Sequence, residues 1–128
     1  MTVYLENKLV DHVTKKATYT APTNLFVGLY TVTPSDAGGG TEVSGGAYAR
    51  VSTATADWNT ASGGTLTNAN DIVFPQATAS WGTVVAFGIF DASTAGNLLI
   101  WGPLLTSKVV STDDQMTFLA SNVTWKPD

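Results

Sequence analysis

Four places in this chain of 128 residues carry the residue types that chemistry needs: Asp11-His12, the glycine-rich run Thr33 to Gly46 (TPSDAGGGTEVSGG), Arg50, and Asp113-Asp114. His12 is the only histidine, so neither a histidine metal cluster nor the imidazole of a triad with a partner base can be built around it. Asp11 precedes it, but adjacent positions on a helix point in different directions, and His12 reads as a surface or interface residue. Arg50 is the only arginine; its planar fork suits a carboxylate, and a structural ion pair is the expected role. A phosphate cradle needs a helix after the glycines or a Gly-Lys-Ser/Thr sequence, and Thr33 to Gly46 has neither. That run reads as a long mobile connection, and removal of Asp36 to Gly45 is expected to leave the domain folded. Asp113 and Asp114 lack the interleaved acidic loop of a calcium hand and read as a solvated turn. Asn122-Val-Thr124 fits the glycosylation pattern but falls in a predicted strand and is treated as chance. With no cysteine there is no thiolate chemistry. The expectation is therefore no catalytic, cofactor-binding or metal residue, and no enzyme activity.

Composition narrows the partners. The formal net charge is -4 with six Lys and Arg, which argues against nucleic acid, where basic side chains must replace condensed counterions. Charged residues make up 12% of the chain, about half the usual share. A polar but weakly charged surface is cheap to desolvate and suits large permanent protein contacts. No apolar run approaches the roughly 20 residues of a membrane-spanning helix, and the start lacks the layout of a signal peptide. A soluble protein with no membrane partner is expected.

These residues must be held by a β scaffold. One domain is expected over 1–128, with a helix over 2–16 and a β-sandwich over 24–125. Leu5, Leu9 and Val13 recur at four-residue spacing in TVYLENKLVDHVTKK, with Thr2 as the cap. Asn24 to Val32 and the hairpin Thr83 to Leu105, turned at Asp91 to Gly96, are apolar on both faces, so each needs two covers. Gly28 and Gly88 mark expected close approaches of a backbone or an aromatic ring. Ala47 to Thr53 and Asp71 to Phe74 read as strands, and Trp58 is expected to pack where the chain crosses between sheets. Pro103 is expected to close the second hairpin strand, with Leu104 to Val110 extended beyond it. Met116 to Trp125 reads as a last strand with a bulge near Ser121-Asn122. The fold class expected is all-β, a jelly-roll-like antiparallel β-sandwich of seven or eight strands with one N-terminal amphipathic helix.

As an ordered set, LFVGLYTVTPSDAGGGTEVSGGAYARV and IVFPQATASWGTVVAFGIFDASTAGNLLIWGPL resemble a family of tailed-bacteriophage virion proteins often labelled tail-fibre-like. The family is also similar to capsid cement or decoration proteins with a jelly-roll fold. The resemblance implies a virion structural role. Within it, the leading expectation is a cement protein that bridges subunits of the major capsid protein as a dimer or trimer. It would be made in the host cytoplasm and sit on the capsid exterior ahead of the tail. A tail fibre, adapter or receptor-binding component is the second class, and a sugar hydrolase the remote third. Candidate interface residues are Tyr4, Leu5, Leu9 and Val13 on the helix, and Pro34, Asp36, Glu42 and Val43 in the loop.

Overall fold

Strand β1 (Leu25–Val32) is the hub of the fold. The computed structural model describes residues 1–127. In it, one edge of β1 pairs antiparallel with β6 (Gly82–Phe90), and β6 pairs with β7 (Leu98–Val110). The other edge is shared end to end by two short strands, β2 (Thr41–Glu42) beside Tyr30 to Val32 and β3 (Val51–Thr53) beside Leu25 to Val27. These five strands form one sheet. A second layer is made of two ribbons, β4 (Leu66–Thr67) with β9 (Thr124–Trp125) and β5 (Ile72–Val73) with β8 (Thr117–Phe118). The result is all-β and sandwich-like, with a layer of ribbons where a second continuous sheet was expected.

The doubly apolar faces of β1 and β6 receive two different covers. On one face Val27, Leu29, Phe87 and Ile89 meet Ile72, Phe74, Met116 and Phe118 in the main core, where Phe118 packs edge-on against Phe74 and Phe87 at 6.0 and 6.3 Å. On the other, Tyr30, Ala86 and Phe90 form a second cluster with Phe26, Val85 and Leu98. The two expected close approaches occur together, because Gly28 lies directly opposite Gly88 in the β1–β6 register. A Cβ on Gly88 would meet Leu98 and Tyr30 side chains at 2.8 and 2.9 Å, and one on Gly28 would meet Glu42 Oε2, Phe90 and the Tyr48 hydroxyl, each at 2.9 Å. Gly28→Ala is therefore expected to lower stability by about 2 kcal/mol, the usual scale of overpacking; chemical denaturation checks this, and an unchanged midpoint would show that the neighbours yield.

Helix α1 (Val3–Val13) is shorter than its sequence pattern. Thr2 caps it, accepting the Leu5 N–H, and also anchors it: its N–H donates to the Leu99 carbonyl at 3.0 Å and its hydroxyl to Leu98 at 2.7 Å. The first turn thus docks on β7, burying Leu5. At the far end Lys15 adopts φ 64, and His12 Nδ1 accepts the Tyr19 N–H at 3.1 Å, which returns the chain toward β1.

Several strand boundaries differ from expectation for identifiable reasons. Pro103 does not end its strand: β7 lies at the sheet edge, where a missing N–H removes no ladder bond, and the strand runs on to Val110. Tyr48 to Arg50 leave the ladder because Ala47 takes φ 64 in a turn. At Ser121, φ 66 makes a full turn in place of a bulge, so β8 and β9 pair with different partners. The loop Thr33 to Gly46 is folded onto the domain. Pro34 and Val43 are buried, Ser35 and Gly38 exchange backbone hydrogen bonds at 2.8 and 2.9 Å, and Gly40 holds φ 72 where a Cβ would stand 2.6 Å from the Val32 carbonyl.

Candidate interaction surfaces

The densest polar constellation is built across the break between β2 and β3. Because the two short strands leave the middle of β1 unpaired, the Leu29 N–H donates to the Tyr48 hydroxyl at 3.0 Å and the Leu29 carbonyl accepts the Val43 N–H at 2.9 Å. Tyr48 in turn donates to Glu42 Oε2 at 2.6 Å. Arg50 grips both Glu42 oxygens, Nε to Oε2 and Nη2 to Oε1, each at 2.8 Å. Its Nη1 donates to the Ala92 and Ala95 carbonyls at 2.8 and 2.9 Å. The guanidinium also lies 3.5 Å above the centre of the Phe90 ring. Arg50 thus meets its expected carboxylate, and the same side chain ties β2 to the β6–β7 turn and covers the second apolar cluster.

The electrostatics are those of a closed clamp. Burial lowers the tendency of Arg50 to hold its proton, but the hydrogen bonds and charge of Glu42 outweigh it and the guanidinium pKa is raised. Burial pushes the Tyr48 hydroxyl up, and its hydrogen bond to Glu42 pushes it further. Tyr30 is raised to about 12, first by burial and then by the Glu42 charge. Both tyrosines are more acidic in the unfolded chain, near pH 10. Their contribution is fully present below that pH and is lost as pH rises through the folded values. The melting temperature is expected to fall as pH rises from about 10 toward 12, with Tyr48→Phe flattening the decline; an equal decline in the variant would remove Tyr48 as its source.

Of the loop residues expected at an interface, Pro34 and Val43 point into the protein's own interior and Glu42 belongs to the clamp. Asp36 is half-buried: its carbonyl accepts the Val3 N–H at 2.9 Å and its Oδ1 accepts the Trp101 indole N–H at 2.9 Å, and it pairs with the N-terminal ammonium at 3.9 Å. Of the helix residues, Leu5 is in the core, Leu9 is half-buried, and Tyr4 and Val13 are exposed. The structure brings Tyr4 and Asp36 together in a shallow cleft of about 420 Å³ with Asn97 and Leu98. It leaves Val13 apart, 77% exposed beside Val10 at 60%, on a small apolar patch with Leu9.

Sequence reasoning missed a second surface. Between Val84↔Lys108 and Ala86↔Pro103, one residue of β6 faces four of β7, so Leu104 to Ser107 are extruded as a wide bulge. Leu105 there is fully exposed, with Val109 nearby at 68%. The signal was available: the two consecutive apolar residues Leu104-Leu105 directly after Pro103 break the alternation of the strand.

Among the described residues, no group of three or more His, Cys, Asp or Glu side chains could hold a metal ion, and no helix is long and apolar enough to cross a membrane. No curated protein gives a significant match to the chain. The profile of the family described as Podophage GP4 fiber I protein gp80 matches residues 1–126, nearly the whole chain. With the all-β fold and the virion-protein resemblance of its sequence, this match shows that the chain belongs to the podophage GP4 fiber I protein gp80 family of tailed-phage virion structural proteins.

Proposed function

We propose that this protein is a non-catalytic subunit of a phage fibre, acting by burying surface against other virion proteins. The observation that carries the reading is the near full-length match to a fibre protein family. The surface supports it: the most concentrated polar cluster, Glu42–Tyr48–Arg50, is consumed in holding the fold together, while the second half of α1 presents Val10 and Val13 outward. Apolar side chains kept in water by the isolated fold gain free energy only when another subunit covers them.

The capsid-cement reading uses the same chemistry at another place, bridging major capsid protein subunits and stabilising the assembled lattice by linkage. The low charge density, 12% of residues, favours it equally, because it suits permanent contacts of either kind. Location separates the two. Gold-labelled antibody against the protein on intact particles is expected to mark the tail region, with few copies per particle. Uniform labelling of the shell at hundreds of copies would replace the fibre assignment with cement.

A further inference from the structure

We infer that the cleft between the start of α1, the Asp36-Ala37-Gly38 loop and the beginning of β7 binds one neutral pyranose unit of a saccharide, with Tyr4, Asp36 and Asn97 as its contacts. Such a site would serve a fibre subunit or a shell protein alike, so it goes beyond the fibre reading.

Three separate parts of the chain are pinned at this place. The Val3 N–H donates to the Asp36 carbonyl at 2.9 Å and the Thr2 N–H to Leu99 at 3.0 Å, which fixes the first helical turn between the loop and β7. The polar groups of the cleft are each aimed by a neighbour that leaves part of them unused. Asp36 Oδ1 accepts the Trp101 indole N–H at 2.9 Å; its Oδ2 accepts no hydrogen bond among the described residues, and the side chain is 39% exposed. Asn97 is held by Asp91, to which its backbone N–H and Nδ2 donate at 2.7 and 2.9 Å. That leaves Asn97 Oδ1, on the other branch of the amide, with no donor among the described residues. Gly96 permits this tight turn, since at its φ of 69 a Cβ would stand 2.5 Å from Asp91 Oδ1. On the opposite wall the small Ala37 and Gly38 keep the space open, and a Cβ on Gly38 would meet nothing within 4 Å.

This set of groups selects the ligand class. A carboxylate oxygen and an amide oxygen lining one cleft accept from two hydroxyls, and the second hydrogen of Asn97 Nδ2 gives a donor back; sugar hydroxyls both donate and accept. The Tyr4 ring, in a residue 36% exposed, offers a flat apolar face for the C–H side of a pyranose. The Lys8 ammonium, 5.7 Å from the centre of that ring, adds a donor on a flexible stem at the rim. Charge argues for a neutral ligand. Asp36 is the only acid lining the cleft and repels an anion, while the N-terminal ammonium 3.9 Å from its Oδ1 and Lys8 already answer it with positive charge. A single carboxylate also lacks the second acid that glycoside hydrolysis needs, so the cleft binds and does not cleave. Its volume of about 420 Å³ falls within the range of small-molecule sites.

Proton–nitrogen correlation NMR of the full chain tests this, titrating methyl glycosides of glucose, galactose, mannose and N-acetylglucosamine to about 50 mM. At least one of them is expected to shift the amides of Tyr4, Gly38 and Asn97 and the Trp101 indole N–H saturably, with a Kd of roughly 1 mM. Sorbitol, which has the hydroxyls without the ring, and glucuronate, which adds a negative charge, are expected to bind at least about tenfold more weakly. Tyr4→Ala should weaken glycoside binding about fivefold or more while Tyr4→Phe keeps it, and Ala37→Trp should abolish it by filling the cleft. Tyr4 and Ala37 are both exposed, so an unchanged thermal midpoint is the check on folding, and if one variant fails it the other decides. No saturable shift with any of the four glycosides, equal binding of sorbitol or glucuronate, or binding indifferent to Y4A and A37W would each overturn the proposal.

Discussion

Glu42→Ala is expected to lower the unfolding free energy by about 3 kcal/mol, the scale for removing one partner of a buried ion pair. For a domain of this size that is a fall of roughly 10 °C in melting temperature. The size follows from what is left behind. Arg50, whose side chain is only 8% exposed, would keep its charge and its place on Phe90 while losing two of its four short hydrogen bonds. The Tyr48 hydroxyl would lose its acceptor. Arg50→Ala removes the charge itself but releases the β6–β7 turn at Ala92 and Ala95, and a comparable loss is expected. Because the two side chains share one network, the double variant should cost well under the sum of the singles, with a coupling of about 2 kcal/mol by double-mutant cycle. Additive losses would mean that the clamp is two independent contacts.

Asn68 carries the second large effect. It is completely buried and ties its own segment to Leu119 and Val123, more than fifty residues on. Its Nδ2 donates to the Asn70 and Leu119 carbonyls, both at 2.9 Å, and its Oδ1 accepts the Val123 N–H at 2.9 Å. Its own carbonyl accepts the Ser121 N–H, also at 2.9 Å. This one amide therefore shapes the turn between β8 and β9. Asn68→Ala strands the buried Val123 N–H and takes a donor from the Asn70 and Leu119 carbonyls, and is expected to cost about 2 kcal/mol. Asn68→Asp is the sharper probe: one oxygen still accepts from Val123, while the other confronts two carbonyls unless it holds a proton. In that variant the folded-state pKa is raised, so stability is greatest below the unfolded value near 4 and is lost as pH rises through the folded value. The gap to wild type should narrow on acidification; a gap independent of pH would show that the amide donors do not matter.

The parts of this fold that were legible in the sequence are those whose causes are local. The apolar hairpin around Asp91 to Gly96, the strand Leu25 to Val32 and the cap at Thr2 are written in short-range patterns. Gly28 and Gly88 announce close approaches without saying that they face each other. Arg50 announces a carboxylate partner, and Glu42 lies only eight residues away.

What was hidden depends on position in the sheet. The glycine run was expected to be mobile and dispensable, yet Val43 fills the core and Glu42 anchors the clamp. Deleting Asp36 to Gly45 would thus remove part of the scaffold, contrary to the expectation from composition. The run past Pro103 is strand only because β7 is an edge, which no local pattern reveals. The same limit applies to the interface residues. Four-residue spacing finds the apolar side of α1 but not that docking ends after its first turn, leaving Leu5 inside and Val13 outside.

On the fibre reading proposed above, this chain works by surfaces that become buried only on assembly. Amide hydrogen exchange, compared between the isolated protein and intact particles carrying it, tests this at residue level. Protection is predicted to rise at least tenfold across Leu9 to Thr14 of the helix end, where the isolated fold leaves the apolar side uncovered and exchange proceeds by local opening, while the central strands β1 and β6 change little. Equal exchange at the helix end in both states would contradict it.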